Sequence, residues 1–211
     1  MKIMGLDIEL LNHATVKIMN RKIVYIDPFE LSQGPSMKKA DFILITHEHY
    51  DHCSPKDIAK IATENTVVIT VADCQSKMSG LKIKGVALIE PGKTVNADGV
   101  KITAVPAYNL NKHYHPRENE WVGFIVEMDG VQVYHTGDTD LIPEMKDIDV
   151  DIALLPVGGT YTMNAMEAAQ ATKTFKRCKI AIPMHYGTVI GNASDAETFR
   201  NNAGCEVKIL M

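Results

Sequence analysis

Six consecutive residues, His47-Glu48-His49-Tyr50-Asp51-His52, concentrate three imidazoles and a carboxylate in a 211-residue chain that holds only eight histidines. Neutral imidazole and carboxylate are borderline and hard ligands, suited to Zn, Mn, Fe or Ni. The stretch follows Phe42–Thr46, an apolar run with the length of a buried strand. Residues i and i+2 leaving a strand project the same way, so His47 and His49 can grip one cation. Past a bend, Asp51 and His52 can face a second. Asp138 follows the apolar run Val131–Tyr134, and His185 follows Ile180–Pro183. Read alone, Asp138 is a capping aspartate and His185 a histidine satisfied by backbone groups. Beside HxHxDH both become ligand candidates, because a metal site in an α/β protein draws on the ends of several strands. The competing reading of residues 47–52 is a solvated polar loop ahead of a helix.

The elements that must position these residues are legible as alternating short runs. Ile8–Leu11, Thr15–Met19 and Ile23–Ile26 are β-rich, with Asn20-Arg21 as a turn and Asp27-Pro28 as a stop. Ser32-Gln33-Gly34-Pro35-Ser36 reads as a loop. Ser54-Pro55 caps a helix carrying Ile58 and Ile61, with Asp57 in its first turn. Val67–Thr70, Val86–Ile89, Ile102–Val105, Val122–Met128 and Val131–Tyr134 read as strands, the last two joined by an Asp129-Gly130 hairpin turn. Ile152–Leu155 is a further buried run. Asn164 with Glu167 opens a helix through Phe175, and Ile180–Pro183 is a strand. Ser194 with Glu197 opens a last helix, and Val207–Leu210 closes as a strand. One α/β domain covering 1–211 is expected.

Composition narrows the function class. The chain is 45% hydrophobic and 23% charged, as expected of a globular fold and not of disorder or coiled coil. Its net charge of −4 argues against a non-specific polyanion binder, so no nucleic-acid partner is expected. Cys53, Cys74, Cys178 and Cys205 show no CxxC spacing. The opening MKIMGLDIELLNH lacks an apolar core of signal-peptide length, and no apolar run approaches ~20 residues. A cytoplasmic location, no membrane association and a small-molecule substrate are the expectations; a homo-oligomer is left open.

The pattern His47-x-His49-x-Asp51-His52, with Gly137-Asp138-Thr139 and the late His185, resembles the metallo-β-lactamase superfamily of binuclear hydrolases. Leu11-Asn12-His13-Ala14-Thr15, Val105-Pro106-Ala107-Tyr108-Asn109, Gly137-Asp138-Thr139-Asp140 and Pro156–Met163 are most similar to a small branch of bacterial and archaeal metal-dependent hydrolases. That branch resembles ascorbate-6-phosphate lactonase and N-acyl-phosphatidylethanolamine phospholipase D. The resemblance implies a four-layer αββα sandwich binding two divalent cations, Zn first among Zn, Mn, Ni and Fe. It assigns His47 and His49 to the first metal, Asp51, His52 and His185 to the second, and Asp138 to a bridge between them.

It also exposes a departure. The family supplies another histidine to the first metal from around residues 105–110, where this chain has Asn109. Asn109 itself, His113 or His115 could complete that site, with His115 favoured because Pro116 stiffens it. By the same resemblance His13 lies near the metal cleft, Tyr161, Thr162 and Met163 line its mouth, and Asp140 or Thr136 hold an imidazole's other nitrogen. Tyr108, Trp121 and Tyr186 read as packing. The chemistry implied is hydrolysis of a phosphodiester, or of a lactone or other ester, by a metal-bound hydroxide that Asp51 orients. His13, His113 or His115 would protonate the leaving group.

Rival readings are a nuclease of the same superfamily, a redox di-iron protein and a non-catalytic metal-binding module. The chain is short for the first, and retention of His49 argues against the second. Gly92-Lys93-Thr94 suggests a phosphate loop, but such a loop needs glycine where Ala87 stands.

Overall fold

The computed structural model describes residues 1–32 and 37–210. The chain divides into two compact units, residues 1–90 and 91–211. The loop read at Ser32–Ser36 lies, beyond Ser32, outside the described residues.

The first unit carries a seven-stranded sheet in the order β1 to β7. Its strands are β1 (Lys2–Ile3), β2 (Leu6–Asn12), β3 (Thr15–Met19), β4 (Ile23–Ile26), β5 (Phe42–Ile45), β6 (Val67–Thr70) and β7 (Gly85–Leu88). β1 to β4 form an antiparallel meander, and the pairs β4–β5, β5–β6 and β6–β7 are parallel. All four residues of β5 are buried, which is why the sequence there is an unbroken apolar run and not an alternation. Helix α1 (Pro55–Ile61) begins where expected. The Ser54 side chain accepts from the Asp57 amide, and Pro55 sits at a position whose N–H has no helical partner anyway.

The second unit repeats the pairing scheme. Its strands are β8 (Thr94–Ala97), β9 (Val100–Pro106), β10 (Val122–Met128), β11 (Val131–His135), β12 (Ile152–Pro156), β13 (Ile180–Met184) and β14 (Glu206–Val207), side by side in chain order. β8 to β11 are antiparallel; β11–β12, β12–β13 and β13–β14 are parallel. Helices α2 (Ala165–Thr174) and α3 (Ala193–Asn202) supply two of the crossovers that parallel strands require. Asn164 and Glu167 form the expected capping box of α2. Ala168 and Ala169 of α2 and Phe199 of α3 share a core with Ala153, Leu155 and Ala181 from β12 and β13.

Three expectations need adjustment. α3 is capped by Asn192 with Asp195, not by Ser194 with Glu197: Asn192 accepts from the Ser194 amide, and Asp195 accepts from the Asn192 amide. The closing strand is only Glu206–Val207. β8 is not among the expected strands, although Asp98-Gly99, both left-handed, is the same hairpin signal as Asp129-Gly130. No helix among the described residues is long and apolar enough to cross a membrane.

Candidate metal centre

Most candidate ligands follow the carboxyl ends of strands that pair in parallel, where open α/β sheets place their ligands, and His115 lies in the longer loop after β9. In the first unit the chain leaves β5 into His47 and turns back at His49, whose carbonyl accepts from the amides of both His52 and Cys53. The bend anticipated between His49 and Asp51 is therefore built from backbone hydrogen bonds. His47 Nε2 lies 3.1 Å from His49 Nδ1, so the two side chains converge as the i, i+2 spacing implied. His13 Nε2 is 3.3 Å from Asp51 Oδ2, and His52 Nε2 is 3.8 Å from the same oxygen. One ligand atom from each of His13, Asp51 and His52 lies within 4.8 Å of the others.

A residue the sequence reading passed over organises this cluster. Asp27, fully buried just after β4, accepts from the Thr46 amide (2.8 Å) and hydroxyl (2.7 Å). It also accepts from His52 Nδ1 at 2.8 Å. Because the Thr46 hydroxyl donates to Asp27, its lone pairs are left for His47 Nδ1 at 2.9 Å. Both imidazoles thus carry their proton on Nδ1 and present a lone pair at Nε2. In the sequence, Asp27-Pro28 signals only the end of a strand. The better signal was an aspartate ending a strand beside the one that ends in the histidine motif.

Lys77 restrains the motif from another side, donating to the Glu48 carbonyl and pairing with the Glu48 carboxylate at 3.5 Å. Its 3-10 segment, Ala72–Met78, also carries Cys74. The sulfur–sulfur hydrogen bond between Cys74 and Cys53 eases ionisation of Cys53 and, with burial, raises the Cys74 thiol.

In the second unit, Asp138 Oδ2 lies 3.0 Å from His185 Nε2 and 3.3 Å from His115 Nε2. Asp138 follows left-handed Gly137 after β11, and His185 follows β13. Gly158, after β12, accommodates the latter: a Cβ there would strike the His185 carbonyl. Asn109 is not aimed as a ligand. Its Oδ1 accepts from His115 N (3.0 Å) and His115 Nδ1 (3.1 Å), and its Nδ2 donates to Asp140 (3.2 Å) and the Tyr161 carbonyl (3.0 Å). The Tyr161 carbonyl lies 3.2 Å from His115 Nδ1 as well. Facing two oxygen acceptors, His115 Nδ1 bears the proton, and Nε2 offers a lone pair toward the Asp138 carboxylate. A proton on Nε2 or a metal cation held between these atoms, 3.3 Å apart, satisfies both, so the donor set fits a metal.

His113 is exposed, whereas His115 is buried with the Trp121 ring 5.7 Å away. Asp140, expected to hold an imidazole nitrogen, instead accepts from the Asn109 amide that holds His115. Thr136 spends its hydroxyl on the Gly137 carbonyl. Three residues that hold or form the clusters, His13, Asp27 and His185, adopt left-handed backbone (φ +47°, +49° and +57°). That conformation costs non-glycine residues roughly 1–2 kcal/mol each, and such strain concentrates at functional sites.

A family model for the beta-lactamase superfamily domain matches residues 7–185. A UPF0173 metal-dependent hydrolase from Thermococcus onnurineus is 33% identical over 216 residues, covering 97% of this chain and 95% of that protein. Another, from Thermoplasma acidophilum, is 36% identical over 204 residues, covering 91% and 88%. A solved structure from Parabacteroides distasonis, described as a metal-dependent hydrolase, superposes with a TM-score of 0.83 at 37% identity, covering 98% and 94%. Igni18, a metallo hydrolase from Ignicoccus hospitalis, gives 0.80 at 25% identity, covering 97% and 94%. The chain belongs to the metallo-β-lactamase superfamily, among its metal-dependent hydrolases. Its fold is the α/β sandwich of that superfamily, as the motif led us to expect.

Proposed function

We propose that the chain is a phosphodiester hydrolase that uses two divalent cations, zinc first, with manganese, nickel and iron as alternatives. Its metal ligands would be His47, His49, Asp51, His52, Asp138 and His185, and His115 in place of the family's further histidine. The observation that carries this reading is the orientation of the imidazoles. Thr46, Asp27 and Asn109 each hold an Nδ1 and leave Nε2 as the donor atom on His47, His52 and His115. Such cations lower the pKa of bound water toward ~7 and polarise a carbonyl or phosphoryl oxygen.

The remaining work falls to the chain's own groups. Asp51, set between His13 and His52, would orient the attacking water. His13 would give a proton to the leaving group; His115, assigned to that task from sequence, fits better as a ligand because its Nδ1 is committed to oxygen acceptors. Residues 1–211 would act as one hydrolase domain, since the superfamily match runs through both units. We place it in the cytoplasm, acting on a small molecule and not on nucleic acid.

The test pairs metal analysis with a substrate panel. Protein stripped and reloaded with Zn, Mn or Ni is assayed on bis-p-nitrophenyl phosphate and on simple lactones, beside His47→Ala and Asp138→Ala. Two metals per chain and diesterase activity lost in both variants are expected. Lactone turnover alone would replace the phosphodiester reading with the lactonase one, suggested by the sequence resemblance. Full metal occupancy with no turnover on any substrate would overturn catalysis in favour of a metal-binding module.

A further inference from the structure

The four cysteines form two pairs of different character. Cys53 and Cys74 are buried beside the histidine motif. Cys178 and Cys205 are only partly buried, in the second unit, with their sulfurs 3.7 Å apart. Cys178 lies two residues before β13, and Cys205 directly precedes β14, the parallel neighbour of β13. A disulfide needs sulfurs about 2.05 Å apart, so the two side chains must rotate toward each other to form one.

We propose that Cys178 and Cys205 are an oxidisable dithiol that closes to an intramolecular disulfide by exchange with a small-molecule disulfide. The loop closed by this bond contains β13, His185 and α3, so oxidation would restrain the segment that presents a candidate metal ligand. The Cys205 Sγ–H donates to the Cys178 sulfur, and this contact eases ionisation of one thiol of the pair while burial opposes it. Exchange can begin at either sulfur of the pair; in the course that starts at Cys205, its thiolate attacks first. It displaces one thiolate from the small disulfide and forms a mixed disulfide. Cys178, losing its proton, then attacks the Cys205 sulfur and releases the second thiolate. The protein gives up two electrons and two protons, and the small disulfide leaves as two thiols.

The experiment uses the whole reduced protein with oxidised glutathione under native conditions, read by intact mass, peptide mapping and thermal melting. The expected product has lost two hydrogen masses, links the peptides containing Cys178 and Cys205, and leaves Cys53 and Cys74 reduced. Its Tm rises by about 5 °C over the reduced form, because the crosslink limits the unfolded chain. Cys205→Ser is expected to stop at the reduced form or at a glutathione adduct on Cys178, with the Tm of the reduced protein. A stable glutathione adduct on the wild-type chain would overturn the proposal, as would no reaction, a Cys53–Cys74 bond forming first, or a crosslink that leaves Tm unchanged or lowered.

Discussion

At the scale of single residues, the candidate centre depends as much on the groups behind the imidazoles as on the imidazoles. Asp27 is the clearest case, since one carboxylate fixes Thr46 directly, His52 directly and His47 through Thr46. In Asp27→Asn an amide N–H₂ would face His52 Nδ1 and drive its proton to Nε2, removing the donor lone pair. We expect metal affinity about 10–100-fold weaker with an unchanged circular dichroism spectrum; equal affinity in a chelator competition would show that Asp27 only holds the fold. Lys77→Met should loosen the peptide between His47 and His49 and weaken metal binding in the same assay, by less than Asp27→Asn, because Lys77 is partly exposed. Lys77→Arg should recover most of the loss. These supports were illegible in the sequence because Asp27 and Lys77 are 25 residues or so from what they serve, and only pairing of β4 with β5 brings Asp27 to Thr46.

At the scale of elements, α1 is tied to the segment after β4 by one side chain. Asp57 accepts from the Glu30 and Leu31 amides (3.0 Å each), from Ser54 (2.6 Å) and from Lys60 (2.7 Å). Burial works to raise its carboxyl, but the Lys60, Ser54 and Leu31 hydrogen bonds outweigh that and hold it below the ordinary range. Because the folded pKa is the lower one, its stabilisation is complete above the unfolded value near ~3.9 and fades as pH falls through the folded pKa. Asp57→Ala should destabilise by about 3 kcal/mol at neutral pH, and the gap from wild type should shrink below about pH 4 in urea melts. A pH-independent difference would mean that the hydrogen bonds do not depend on the charge. The segment Asn109–His115, pinched by Asn109 N to the His115 carbonyl at 2.7 Å, is the other element with a readable consequence. Trp121, the one tryptophan, packs against His115, so adding Zn to stripped protein should change its fluorescence. That change should vanish in His115→Ala and persist in His113→Ala.

At the scale of the whole molecule, each unit runs an antiparallel meander into three parallel pairings, and each contributes a His/Asp cluster just past its strand ends. Ligand binding to the folded state alone stabilises by about 2.7 kcal/mol at a hundredfold excess over Kd. Chelator-stripped protein should therefore melt about 5–10 °C lower than metal-loaded protein and recover on reloading; a chelator-insensitive Tm would argue that these clusters hold no metal. The sequence by itself determined the ligand types, the buried parallel strands and two helix starts, because these rest on local chemistry: HxHxDH spacing, unbroken apolar runs at β5, β12 and β13, and caps at Ser54 and Asn164. It could not rank Asn109, His113 and His115 with any force, since all three lie in one polar loop of suitable composition. The tertiary structure separates their surroundings, with His113 exposed and His115 buried. Asn109 is held by Asp140 and the Tyr161 carbonyl, more than 30 residues away in the chain, and so is spent as the support that turns His115 toward Asp138. Long-range hydrogen bonds between buried polar groups leave no periodic trace in a sequence, and they are what distinguishes these three residues here.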